Sequence, residues 1–381
     1  MSGLLIVIYG FSIATLAVPD RDFSEQENRY IQKKPEFTVS RLVSGEFTSE
    51  IADYFSDQIP LRDIFVGVKA AAEISLQKRE NDDVLLGTDG YIIAKDDRPN
   101  LERARKNASA VESFCEAVSS DEELSGISVK VAVAGRGEDV LRRYMPASYP
   151  AAFRTEQLFC AIDSSMSVPR VDILETLTER ADSGEYVYYR TDHHWTALGA
   201  YYAYSDIMRS FGMEPYQIDH YDREKVTDEF YGTTWSKAGM KWVGPDEMEF
   251  FRWDGDEDVV TEIVDTGRTI DGMYDRSRLG VKDKYGAIIG GNNGYVRIYS
   301  KNATGTARER LILINDSFGH AVAPFLAEHF DLEIIDLRYY RQPVAELIRE
   351  SGAEKILILV SADSFVSSNA LTTLTFGFYD E

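Results

Sequence analysis

Two segments of this chain, Leu311-Ile-Leu-Ile314 and Lys355-Ile-Leu-Ile-Leu-Val360, are short and almost wholly apolar, and each lies among amphipathic stretches. A strand that is apolar on both faces has to be covered on both faces. A mostly parallel sheet between two helical layers does this. Other segments keep the same rhythm. Ser128–Ala134 and Leu332–Ile335 read as strands, and Val171–Leu177 as a strand end running into a helix. Leu101–Val118, Thr196–Phe211, Ala321–Phe330 and Pro343–Ser351 read as helices, with Gly212 stopping the second. The expected fold class is therefore α/β.

The region before this rhythm reads differently. Gly3–Val18 is uncharged and mostly apolar, yet shorter than the roughly 20 residues a helical span needs. Residues 1–18 are expected to be a membrane anchor or signal segment, with a buried helix or strand as the alternative. Nothing basic precedes Asp20, so the natural start is expected upstream or clipped. No clear A-x-A pattern lies near Val18, which favours an uncleaved anchor and places the rest of the chain outside the cytoplasm. Residues 19–95 are expected to be a stalk, helices and a hairpin. Ser24 with Glu27 three residues on reads as a capping box opening a short helix. Val43–Lys78 reads as helix broken at Pro60, and Asp89-Gly90 as the turn of a hairpin from Val84 to Ile93. Residues 96–381 are the expected catalytic domain. Within it, about 222–306 breaks the helix–strand rhythm and reads as a β-rich insertion lying outside the core, near the cleft.

The formal net charge of −23 excludes a basic, phosphate-binding face, so no nucleic acid is expected as a partner. Of the two cysteines, Cys115 and Cys160, neither sits in a C-x-x-C motif. Both read as buried thiols, with a disulfide between them as the alternative.

Histidine is scarce here, with five in the chain, and two are adjacent in Asp192-His-His-Trp195, directly before a predicted helix. A second feature is Asn315-Asp-Ser-Phe-Gly319, where an apolar strand runs into a helix. Ser317 would stand at the carboxyl end of a parallel strand, where open α/β sheets place their sites, with its amide at a helix N-terminus. Taken alone, Asp316 and Ser317 would be a helix cap. Taken together, the two elements supply a nucleophile, a base and an orienting acid. No G-x-S-x-G, H-E-x-x-H, Walker A or G-x-G-x-x-G motif occurs.

Asp192-His-His-Trp195 with Asp316-Ser-Phe-Gly319 resembles the DHHW proteins, SGNH-hydrolase-like relatives of the alginate O-acetylation proteins. Phe23–Arg29, Asp57–Asp63 and Asp336–Tyr340 fit the same pattern. The resemblance implies a three-layer α/β/α fold with the catalytic motifs in permuted order. It implies Ser317 as nucleophile, His194 as base and Asp192 as its orienter, with His193 non-catalytic. Phe318, Arg338, Tyr339, Trp195 and Tyr189 are the candidates to line the substrate or oxyanion pocket. Two departures stand out. Ser361-Ala-Asp363 follows its strand without the usual asparagine, and Ala134-Gly-Arg-Gly137 stands where relatives have another strand end. The implied activity is extracytoplasmic O-acetyl transfer to a cell-surface or exopolysaccharide. A membrane-bound O-acyltransferase is the implied acetyl donor, and neither metal nor cofactor is expected. The alternatives are a carbohydrate acetylesterase with the same triad, a metal-dependent phosphoesterase built on Asp192-His193-His194, and a non-catalytic polysaccharide-binding scaffold.

Overall fold

A computed structural model describes residues 2–24, 26–27, 29–301 and 308–378. The chain opens with α1 (Ser2–Ala17), followed by α2 (Glu46–Gln58) and α3 (Arg62–Ser75) on either side of Pro60. No helix among the described residues is long and apolar enough to cross a membrane. On α1, Ile8, Tyr9, Ile13 and Leu16 are exposed, and Phe11 packs edge-on against Phe65 of α3. The helix expected from Ser24 does not occur among the described residues. Phe23–Ser24 pairs antiparallel with Arg29–Tyr30, and the Ser24 hydroxyl accepts the Glu27 amide across the turn between them. The same side chain that caps helices here closes a hairpin; Glu25 and Asn28 of that motif lie outside the described residues. β1 (Val84–Leu86) and β2 (Ile92–Ala94) form the expected hairpin, with Asp89 and Gly90 both at positive φ.

The core begins with α4 (Leu101–Ser120) and β3 (Ser128–Ala134), then β4 (Arg170–Val171), α5 (Ile173–Ser183) and α6 (Ala197–Ser210). The middle of the chain gives a ribbon, β5 (Asp222–Phe230) paired with β6 (Asp246–Arg252), with the short α7 (Thr233–Ala238) between them. Next come β7 (Val259–Ile263), β8 (Arg268–Asp271) and β9 (Tyr295–Ser300). The closing run is β10 (Arg310–Asn315), α8 (Ser317–Leu326), β11 (Asp331–Asp336), α9 (Val344–Ser351), β12 (Lys355–Ser361) and α10 (Ala362–Ser367).

Among the described residues one sheet holds eight strands in the order β8-β7-β9-β11-β10-β12-β3-β4. From β11 to β4 the pairing is parallel, and β9, β7 and β8 continue it antiparallel. Leu311 and Leu313 face a core with Tyr204 and Ile207 of α6 and Phe325 of α8. Ile312 and Ile314 face the other layer, with Val111 and Phe114 of α4 and Ile348 of α9. This two-sided burial is what the apolar strands required.

Three further expectations are corrected. The helix expected at Ala321 starts at Ser317, because Asp316 rather than a later residue caps it. The stretch 222–306 does not lie outside the core, since β7, β8 and β9 extend the sheet itself; residues 302–306 lie outside the described residues. Cys115 and Cys160 are both free; Cys115 is buried, but Cys160 is exposed.

Candidate active site

The segment after α5 doubles back on itself. Tyr188 and Trp195 form an antiparallel bridge, Tyr189 N donates to His194 O and Thr196 N to Val187 O, so residues 190–194 form its tip. Thr196 then caps α6 by accepting the Gly199 amide. The fully buried Asp246 on β6 fixes the tip. Its carboxylate accepts Arg190 N at 3.0 Å, Thr191 N at 2.8 Å and the hydroxyls of Thr191 and Tyr186.

Ser317 arrives from the opposite direction, as the first residue of α8 at the carboxyl end of β10. Asp316 sets its position. One carboxylate oxygen caps the helix by accepting Phe318 N, and the other accepts Ser361 N, Ser361 Oγ and Ser364 Oγ at 2.6–2.7 Å. The helix start is thereby tied to the end of β12. Gly319 is required by the close approach of helix to strand, because a Cβ there would lie 2.5 Å from Asn315.

The two segments, 123 residues apart, meet in one relay. His194 Nε2 is 2.8 Å from Ser317 Oγ, and its Nδ1 is 2.6 Å from Asp192 Oδ1. The second oxygen of Asp192 accepts Thr233 N at 2.7 Å and the Thr233 hydroxyl at 3.0 Å. Burial pushes this carboxyl up, but the His193 and His194 imidazoles and these hydrogen bonds outweigh it and hold Asp192 well below the usual carboxylate range. Tyr285 stacks flat on the His194 ring at 3.9 Å, and its hydroxyl donates to Ser317 O at 3.2 Å. The Ser317 N–H has no acceptor among the described residues. It points from a helix N-terminus, where a developing oxyanion is favoured.

The other sequence candidates divide. Trp195 is fully buried, and its indole N–H donates to Phe318 O at 3.1 Å, so it is a core strut rather than a substrate contact. Tyr189 is 2% exposed and packs on Phe230. Phe318 is buried against His194 and Trp195, and its amide is spent on Asp316, so it offers no oxyanion donor. Arg338 forms a fork with buried Asp336 and stands close enough to disfavour protonation of His193 and His320. Tyr339 is half exposed beside it. Thr233, Tyr285 and Asp246 carry no sequence signal that singles them out; all three lie in the irregular middle of the chain.

Asp192, His193 and His194 each present a ligand atom within 4.8 Å of the others, a set that a metal ion could use. His194 Nδ1 and Nε2 already face Asp192 and Ser317, so a cation would have to break the relay to take that ring.

A DHHW protein family model matches residues 150–335, which include Asp192, His194 and Ser317. Curated relatives are the probable alginate O-acetylases AlgJ of Pseudomonas aeruginosa, 23% identical over 164 residues, and of Pseudomonas fluorescens, 21% identical over 161. Each match covers 42% of this chain and 41% of the relative, so the chain spans about two fifths of their length. Among solved structures, a DHHW family protein from Eubacterium siraeum is similar with a TM-score of 0.60 and 22% identity, over 76% of this chain and 97% of that one. PatB1 of Bacillus cereus with a sulfonyl adduct is similar with a TM-score of 0.58 and 16% identity, over 76% and 99%. These structures share the three-layer α/β/α arrangement of this chain, in which the Asp-x-His pair precedes the serine in chain order. Over residues 150–335, just under half of its length, the chain is thus similar to the DHHW proteins.

Proposed function

We propose that this chain is a serine-dependent O-acetyltransferase that passes an acetyl group through Ser317 to a hydroxyl of a cell-surface or extracellular polysaccharide. The observation that carries the reading is the continuous Asp192–His194–Ser317 relay at the carboxyl edge of a parallel sheet. The similarity to the AlgJ proteins, probable alginate O-acetylases, supports acetyl as the group transferred.

In this mechanism Ser317 Oγ attacks the carbonyl carbon of an acetyl donor while His194 Nε2 takes its proton. The negative charge moves to the carbonyl oxygen, where the unspent Ser317 N–H can bind it. Collapse expels the leaving group, which takes the proton from His194. The acceptor hydroxyl then gives its proton to His194 as its oxygen attacks the acetyl carbon. Collapse breaks the bond to Oγ, and His194 returns the proton to Ser317. Asp192 keeps its charge and stabilises the imidazolium formed in each half. A membrane-bound O-acyltransferase is the proposed donor, outside the cytoplasm; the exposed apolar side of α1 supports attachment at a membrane surface.

The test treats the full chain with p-nitrophenyl acetate, with and without a sugar acceptor, and with a sulfonyl fluoride. Acetyl and sulfonyl groups found on Ser317 by mass spectrometry, with acetylated sugar as product, support the reading. Acetate as the sole product makes the protein an esterase. Labelling elsewhere, or none, overturns it.

A further inference from the structure

His193 is the ring the mechanism leaves unused, yet it is anchored on the same carboxylate as His194. Thr233 Oγ1 lies 3.0 Å from Asp192 Oδ2 and 2.6 Å from His193 Nδ1. A threonine has one hydroxyl proton, and an ionised carboxylate only accepts, so that proton goes to Asp192. His193 Nδ1–H must then donate to Thr233, which leaves the lone pair on Nε2. No partner for that nitrogen occurs among the described residues. The His193 side chain is 36% exposed, against 6% for His194, and the two ring centroids are 3.8 Å apart. Desolvation, and after it the neighbouring His194 imidazole, push His193 down to about 4, so the lone pair is present at neutral pH.

The open side of His193 lines a cavity of about 210 Å³ over the ends of β2, β3 and β12. Across it stand Asp363 and Arg136. Arg136 is 5% exposed and spends Nε and Nη2 on Asp139. Its Nη1 lies 2.8 Å from Glu138 but makes no aligned hydrogen bond. An unpartnered acceptor nitrogen beside the His194 ring, at the edge of a small cavity, suits a ligand hydroxyl.

We propose that His193 forms the acceptor subsite, in which His193 Nε2 accepts a hydrogen bond from the hydroxyl adjacent to the one being acetylated. The inference rests on the acetyl-Ser317 reading above and deepens it, because it names the acceptor as a vicinal diol, the unit a pyranose offers, in preference to water or an isolated alcohol. The chemistry is unchanged. The reacting hydroxyl loses its proton to His194, its oxygen bonds to the acetyl carbon, the acetyl–Oγ bond breaks and Ser317 regains the proton. The neighbouring hydroxyl keeps its proton and only shares it with His193.

The test uses the full chain with p-nitrophenyl acetate as donor and two acceptors at equal concentration, vicinal cyclohexanediol and cyclohexanol. Acetylated alcohol and free acetate are measured together. The parent is expected to acetylate the diol about tenfold better than the mono-alcohol, as kcat/KM for the acceptor. In His193→Phe that preference should collapse to near unity, mainly through acceptor KM. His193→Gln, whose amide oxygen can accept the same hydrogen bond, should restore most of it. A merely structural role for His193 would lower both acceptors equally and leave the ratio intact, which overturns the proposal. So does a parent that turns over donor without any diol preference, and in that case the acetyl-Ser317 reading survives. A parent that turns over no donor overturns both.

Discussion

Two regions of the molecule build the site in different ways. The parallel half, β11-β10-β12-β3-β4, sets Ser317 through local rules: an apolar strand ends, Asp316 caps a helix and glycine lets the helix approach. The middle of the chain, from β5 through β9, contributes no reacting group. It supplies the carboxylate of Asp246 that fixes the histidine loop, the Thr233 amide and hydroxyl on Asp192, and the Tyr285 ring on His194. One region thus places Ser317, the proposed nucleophile, and the other holds His194 and Asp192 in register with it. Catalysis by a relay depends on both, because proton transfer needs the heavy atoms within hydrogen-bond reach.

The largest expected effect removes the group the parallel half delivers. Ser317→Ala should lower donor turnover by about 10⁴-fold or more. Its melting temperature should stay near the parent's, since a small part-exposed serine contributes little packing. Retained turnover would end the comparison, as the nucleophile would lie elsewhere. Next comes a residue of the middle region that never touches substrate. A Cβ on Gly232 would lie 2.2 Å from Asp192 Cβ and 2.3 Å from its Oδ2. Gly232→Ala must therefore displace the carboxylate, and a displacement of about 1 Å costs on the order of a hundredfold in rate. Parent-like kcat in a folded Gly232→Ala would show that the middle region does not set the geometry.

How much of this was legible in the sequence follows the same division. Leu311–Ile314 and Lys355–Val360 announce buried parallel strands because their burial is written into their own side chains. The meeting of Asp192-His-His-Trp195 with Ser317 was reachable because two of only five histidines stand together beside an aspartate, in an order that is recognisable with the later Asp-Ser-Phe-Gly. The supports were not. Thr233 and Tyr285 act through contacts with residues 41 and 32 positions away, and nothing in their local pattern distinguishes them from the other threonines and tyrosines. Phe318 shows a further limit. Its position in the motif suggested an oxyanion donor, but an amide two residues past a capping aspartate is the one the cap consumes. Trp195 and Tyr189 sit in or beside the motif, yet only the packing shows that both are core.

A third, smaller effect separates orientation from chemistry. Tyr285→Ala uncovers the face of His194 and should cost about tenfold in kcat, roughly 1.4 kcal/mol of barrier. Tyr285→Phe keeps the ring stack and loses only the hydrogen bond to Ser317 O, so it should stay within about threefold of the parent. Equal losses in the two variants would move the role of Tyr285 from ring packing to its hydroxyl.

The smallest effect concerns acid. Among the five histidines none lies between 222 and 306, whereas His320 is buried in α8, three residues from Ser317. Burial, then the nearby His194 and Arg338, push it down to about 3, with Asp316 opposing. An unfolded histidine titrates near 6.5. Between those two values the unfolded chain binds the proton and the folded chain does not, so stability rises with pH. His320 leaves folding unpenalised above about pH 6.5, and stability is lost as pH falls below that value, by order 1 kcal/mol per pH unit from this one group. His320→Gln should flatten the fall in melting temperature between pH 6.5 and 5. Hydrogen exchange gives the regional test. On acidification, amides of α8 and β10 should lose protection before those of β7 and β9. If β7 and β9 open first, the acid-sensitive half is the antiparallel one, and buried His320 is not what limits stability at low pH.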